Sequence, residues 1–262
     1  MLTYTNMAWP DDPYRTGQQL YRRPAPRLAA FTVERATTGR RPAPAAVAIV
    51  YLPLHRTRTL TVTEQTLTFG FRVASTHDAA EASGLAALAD LDLMQARRHA
   101  GILAGHLLAG DLAALRQADD TAALRGLAAV EHEWADRGEA TGRAVMFDCG
   151  LDVPGSPPLE QACHQAGIDI SPAGFGRRAD RPDGRPHADL AVARALMIAL
   201  VCARHLGRYD WTGTLHAGQV MAAATWDCLP WPGAEATCAL ASKVVGAGRG
   251  TGAESAAARG SL

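Results

Sequence analysis

The sequence predicts an α/β protein, a mixed sheet of about five strands flanked by helices. Three observations predict it. Apolar and β-branched runs fill the first third of the chain, helical periodicity governs most of the remainder, and short apolar runs between the helical stretches read as buried strands. Composition sets the frame: 262 residues that are 48% hydrophobic and 20% charged suit one large domain with appendages and exclude disorder throughout. Lys+Arg 26 balance Asp+Glu 26, so the chain has no overall attraction for polyanions. The basic residues are almost all arginine, with Lys243 the one lysine, a bias that reads as genome composition and not as nucleic-acid binding. No apolar run approaches the roughly 18 residues that span a bilayer, and Met1–Thr16 lacks the basic-then-apolar pattern of a signal peptide. The expectation is a cytoplasmic chain without a membrane segment. Cys149, Cys163, Cys202, Cys228 and Cys238 form no C-x-x-C pair, which predicts buried thiols in place of disulfides or structural zinc.

Taken in order, residues 1–27 carry Pro10, Pro13, Pro24 and Pro26 and read as an irregular N-terminal arm. Leu28–Glu34 and Ala45–Leu54 are apolar strands, and Arg58–Glu64 with Thr66–Val73 alternate Thr with Leu, Val or Phe, predicting a strand pair turned at Glu64-Gln65. Together they predict an antiparallel meander. Ala79–Arg98 carries Leu85, Leu88, Leu91 and Met94 near helical spacing, and Gly101–Gly105 is a short buried strand. A helix beginning at Asp111 follows, then a helix over Thr121–Arg137, a strand at Arg143–Cys149, and a helix over Pro158–Ala166 closed by Gly167. Asp169–Pro186 is an arginine-loaded loop, His187–Leu206 a long helix with Leu190, Ala193, Met197 and Leu200 on its stripe, and Gly213–Cys228 a last helix. The predicted domain spans 28–206, with a helical extension at 207–243 and a Gly/Ala/Ser tail at 244–262.

Polar groups gather at strand ends and helix starts, where open α/β sheets build their sites. A strand ends in Glu34-Arg35-Ala36-Thr37-Thr38-Gly39; a second is followed by His106-Leu107-Leu108-Ala109-Gly110-Asp111-Leu112. A third ends in Asp148, with Leu159, Cys163 and Gly167-Ile168 behind it, and His187-Ala188-Asp189-Leu190-Ala191-Val192-Ala193 opens the long helix. In order and spacing these segments resemble the DnaQ-like (DEDDh) 3′-5′ exonucleases of the ribonuclease H-like fold. Those begin with Asp-x-Glu-Thr-Thr-Gly, continue with His-Asn-x-x-Phe-Asp-Leu, and end with His-x-Ala-x-x-Asp-Ala. The resemblance covers roughly residues 28 to 206.

The resemblance implies a ribonuclease H-like sheet and hydrolysis by two divalent cations, Mg2+ or Mn2+, about 4 Å apart. Such ions take hard oxygen ligands at about 2.1 Å. It implies metal ligands at positions 34, 36, 111 and 192, with His187 as the general base and Thr37 and Thr38 against the terminal nucleotide. In this chain those ligand positions hold Glu34, Ala36, Asp111 and Val192, so two of the four acids are absent, and Leu107 stands where the family has Asn. Glu34 is also one methylene longer than the family's Asp. Neither Asp189, about 200° around the helix from His187, nor Asp148, which the family's layout does not use as a ligand, simply replaces what is lost.

The same residues have plainer readings. Asp111 can open its helix by satisfying free backbone N–H groups, His187 can open the next, and His106 reads as a structural histidine. Arg177 and Arg178, in the loop reaching to Arg185, are the candidate phosphate contacts, since guanidinium groups grip phosphate oxygens in pairs; the plain alternative is a solvated loop. Trp211, Trp226 and Trp231 offer base stacking or, on the plainer reading, core and docking roles. The leading expectation is a degenerate DnaQ-like protein with weak or no nuclease activity, binding a nucleic-acid 3′ end or a protein partner. Two others stand beside it. One is an active exonuclease with unconventional ligands, and the other is an interaction module without nucleic-acid contact.

Overall fold

A computed structural model describes residues 1–6, 27–36, 43–119, 123–136, 144–170 and 186–229. Thr37, Thr38, Arg177, Arg178 and Trp231, like the expected tail at 244–262, lie outside the described residues. The residues up to Cys228 form one compact unit.

The central strands are β2 (Arg27–Ala36) and β3 (Ala43–Pro53), an antiparallel pair in which Leu28 faces Leu52 and Thr32 faces Ala48. β5 (Gly70–Ser75) continues the meander on the far side of β3. On its other side β2 takes β6 (Ile102–Gly105) in parallel, and β6 takes β7 (Val145–Asp148) in parallel. β1 (Leu2–Thr5) pairs antiparallel with β5, and a short β11 (Asp227–Leu229) follows β1, giving the order β11-β1-β5-β3-β2-β6-β7. The α/β class and the meander are as the sequence predicts.

The rest of the chain differs from expectation at several points. Residues 2–5 are a paired strand and not part of an irregular arm. The alternation over 58–73 does not make a hairpin. Only Leu60–Thr61 (β4) and β5 are extended, and β4 pairs in parallel with Tyr209–Asp210 (β9). Between them Thr63 and Thr66 use their hydroxyls to close a turn, with the Thr63 N–H donating to Thr66 Oγ1 at 2.9 Å, while Val62 and Leu67 drop into the core. Residues 213–228 are not one helix. They divide into β10 (Leu215–His216), α6 (Ala217–Ala223) and β11, and β10 pairs in parallel with β8 (Ile168–Asp169). The 207–229 stretch is therefore stitched into the main unit by strand pairs, and no long helical extension forms within it.

Helices cover both faces of the sheet. α1 (Ala82–His99) follows a 3-10 turn at Ala79–Glu81, then come α2 (Leu108–Ala118) and α3 (Arg125–Ala135). α1 and α3 approach so closely that a Cβ on Gly126 would lie 2.1 Å from the Asp90 carbonyl. α4 (Leu159–Gln165) ends as predicted at Gly167, whose φ of +69° suits glycine. α5 (Pro186–His205) starts with proline at its first position, where the missing N–H costs nothing.

Side chains alternate across each strand. Leu28 and Ala30 of β2 join Ala46, Ala48 and Val50 of β3 in one apolar cluster with α5, while Ala29, Phe31, Val47 and Ile49 are buried on the opposite face. α5 is buried nearly all round, through Ala188, Val192, Leu196 and Ala199, although Leu190, expected on its stripe, is 52% exposed. Trp211 is buried in the core with its indole N–H on the Gly167 carbonyl, and Trp226, half-buried, packs its ring at a tilt against Phe71, centroids 4.5 Å apart, at the edge of that core. Cys149, Cys163 and Cys202 are free and buried, and burial pushes the Cys163 thiol up to about 12, which leaves it unreactive. No described helix is long and apolar enough to cross a membrane.

Candidate functional site

The carboxyl ends of β2 and β6 hold the candidate residues. β6 is much shorter than β2. It pairs with β2 only from Leu28 to Ala30, then turns away at Gly105 into α2. The Arg27 carbonyl accepts from the Gly101 N–H, so odd-numbered peptide groups of β2 point toward β6. Past Ala30 that side of β2 has no strand to bond with, and the Val33 N–H is left facing the gap.

Asp111 fills the gap. Its Oδ2 accepts the Val33 N–H at 2.9 Å and the Thr32 hydroxyl at 3.2 Å. Arg35, just past a β-bulge in the β2–β3 pairing, lays its guanidinium over the first turn of α2, donating to the Gly110 carbonyl at 2.7 Å and reaching Asp111 Oδ1 at 3.4 Å. Arg194, from α5, adds a second positive charge. Burial is the largest influence on the Asp111 carboxyl and pushes its pKa up, opposed by the Val33 N–H, the two arginines and the Thr32 hydroxyl. The helix starts at Leu108, three residues before Asp111, so Asp111 does not open it as expected. Its carboxylate caps a strand instead.

The job of capping α2 falls to Asp148, which is fully buried at the end of β7. Its Oδ1 accepts from the N–H groups of Leu107 at 2.8 Å and Gly150 at 2.9 Å, and Oδ2 from Leu108 at 3.4 Å. Leu107 precedes the helix in the left-handed region, with φ 53°. A Cβ on Gly150 would come 2.9 Å from the tip of the exposed Leu107 side chain, so that side chain packs over the glycine.

None of the other candidates makes a hydrogen bond or ion pair with Asp111 among the described residues. Glu34 is half-buried and makes no hydrogen bond or ion pair among the described residues. His187 is half-buried at the start of α5, its ring 6.3 Å from that of His77, and its Nδ1 is buried without a partner. His106 is buried with Nε2 3.5 Å from the Pro157 carbonyl, and its Nδ1 has no partner among the described residues. Ala36 ends β2, and Val192 is fully buried among apolar groups.

A pair of divalent cations does not fit this arrangement. Both Asp111 oxygens already face donors, two guanidinium groups supply the charge that a metal would bring, and no three His, Cys, Asp or Glu side chains gather as a metal-holding group among the described residues. Glu34, expected as a metal ligand together with Asp111, makes no hydrogen bond or ion pair with it among the described residues. Sequence reasoning missed Thr32, Arg35 and Arg194, and it placed Asp148 at a strand end without seeing its capping role. The one signal that could have raised Arg35 and Arg194 is their position, each beside a lost acid, at Ala36 and near Val192.

No family model, curated protein or solved structure matches the chain.

Proposed function

We propose that the chain is a ribonuclease H-like module of DnaQ-like descent that binds the phosphate-bearing end of a nucleic acid and does not hydrolyse it through metal ions. The sheet supports the fold. β2 is central, β3 and β5 complete an antiparallel meander on one side, β6 and β7 run parallel on the other, and α5 crosses the face, the layout of a ribonuclease H-like five-strand core with β1 and β11 added at one edge.

The observation that carries the reading is the Arg35–Asp111–Arg194 group. Where the resemblance would put anionic oxygens around cations, this chain puts guanidinium groups around one carboxylate that is already bonded to Thr32 and Val33. The Arg35 side chain is 39% exposed and shows Asp111 and Gly110 only part of its five-donor fork, leaving donors for a phosphate oxygen.

Incubation of a 3′-labelled single strand with Mg2+ or Mn2+ is expected to leave it intact, while fluorescence anisotropy shows binding that weakens with salt. Arg35→Gln is expected to weaken that binding about fivefold, as for one lost phosphate contact. Stepwise removal of 3′ nucleotides that Asp111→Asn abolishes would restore the metal-dependent exonuclease, and absence of binding at low salt would leave an interaction module.

A further inference from the structure

At the opposite edge of the sheet, beside the amino ends of β6 and β7, lies a cavity of about 270 Å³. β6 alone separates it from the Asp111 gap by roughly 13 Å, so the two sites share no residue. Its walls are apolar, formed by Ile102, Val145 and Leu206, and its polar groups are His55, Arg56 and Arg208. We propose that it binds a small amphipathic carboxylate, an aryl or short alkyl body seated on the apolar walls with its acid group held by Arg56 and Arg208.

Four observations carry this. The first is charge. No Asp or Glu lines the cavity among the described residues, and neither Arg56 nor Arg208 makes a side-chain ion pair or hydrogen bond there. By contrast Arg97 pairs with Glu133, Arg116 with Glu131 and Arg204 with Asp210. Two uncompensated guanidinium groups on one apolar hollow favour an anion.

The second is the state of His55. Its Nδ1 accepts the N–H groups of Thr57 at 3.2 Å and Arg58 at 3.0 Å, so the neutral ring carries its proton on Nε2 and offers a third donor. The third concerns the end of α5, whose carbonyls would otherwise repel an anion. The Gly207 N–H donates to Arg204 O at 3.0 Å and the Arg208 N–H to Ala203 O at 2.8 Å, closing the helix on itself. The fourth is size. An apolar cavity of about 150 Å³ is enough for a benzene ring, so 270 Å³ takes a ring with a short acid tail but falls below the usual drug-sized pocket. Val145 is 59% exposed at the start of β7, which keeps the mouth open to a ligand.

Three probes of one shape separate the contributions: phenylacetate, 2-phenylethanol and 2-phenylethylamine. Titrated into the full chain and followed by the methyl NMR signals of Ile102, Val145 and Leu206, phenylacetate is expected to shift all three saturably. It should bind about tenfold more tightly than the amine, with the alcohol between them. The double variant Arg56→Gln, Arg208→Gln is expected to remove the preference for the acid and leave the alcohol unchanged. Val145→Glu, at an exposed position that tolerates charge, should reverse the order in favour of the amine. Equal binding of acid and amine to the unaltered protein, or an acid preference that survives the double variant, would overturn the assignment, as would the absence of any saturable shift.

Discussion

Asp111 and Asp148 are both buried aspartates at the carboxyl edge of the sheet, and both spend their oxygens on backbone N–H groups that no neighbouring strand or helix supplies with partners. They differ in surroundings. Asp148 sits against three N–H groups of a turn and its helix start, a cradle that fixes the path of the chain. Asp111 receives one N–H, one hydroxyl and the Arg35 guanidinium, with the charge of Arg194 acting on it as well, so that here a structural cap meets positive charge. The comparison teaches that an acid at a strand end is not by itself a catalytic acid. What decides is how many of its lone pairs the fold has already taken, and from whom.

The largest effect should come from Asp148→Ala. It strands the N–H groups of Leu107, Leu108 and Gly150, and a loss of about 4 kcal/mol in urea denaturation is expected. Asp111→Ala strands the Val33 N–H and the Thr32 hydroxyl, for about 2 kcal/mol. If Asp111→Ala proved the costlier of the two, the two arginines would be integral to the fold and not available to a ligand.

Asp111→Asn sharpens the contrast further, because its amide oxygen can still accept from Val33. The native Asp111 carboxyl has its pKa raised, chiefly by burial, so its contribution to stability is fully present below the ordinary carboxylate value and is lost as pH rises through the raised one. The unaltered protein should therefore lose stability over that window as pH rises, and Asp111→Asn should flatten this part of the profile. An unchanged profile would show that the arginines offset the burial completely.

The smallest effect concerns Leu107, a branched side chain held at φ 53° beside the Asp148 cradle. Leu107→Asn places there a residue that tolerates the left-handed conformation, and a gain of about 1 kcal/mol is expected. A loss would mean that the Leu107 side chain, although 53% exposed, contributes packing against Gly150 that outweighs the strain.

The elements with strong periodicity were legible in the sequence. β2, β3, α1 and α5 fall within a few residues of their expected bounds because each is long enough for its apolar pattern to define a face. β1 was not, since four residues beside a proline-rich stretch carry too short an alternation to register. The threonines of 58–66 misled because the same residues that favour strands also close turns with their hydroxyls. In the site, residue type was legible and function was not. Asp111 is an acid near a strand end in any reading, but its partners Thr32 and Val33 lie nearly eighty positions away, and only the fold shows that β6 stops short and leaves a gap for it.

β9 and β10 have a consequence for how the chain is assembled. Each is a two-residue parallel pair, and β9 joins Leu60 to Tyr209, while nearby the His216 N–H reaches Glu64 across 152 positions and the Tyr209 hydroxyl reaches Pro53 across 156. Closing so wide a span for so few bonds is worthwhile only once the intervening sheet has already drawn the ends together. The clasp is thus expected to close after the sheet has formed, and Tyr209 and Trp211, buried beside it, tie its segment into the core.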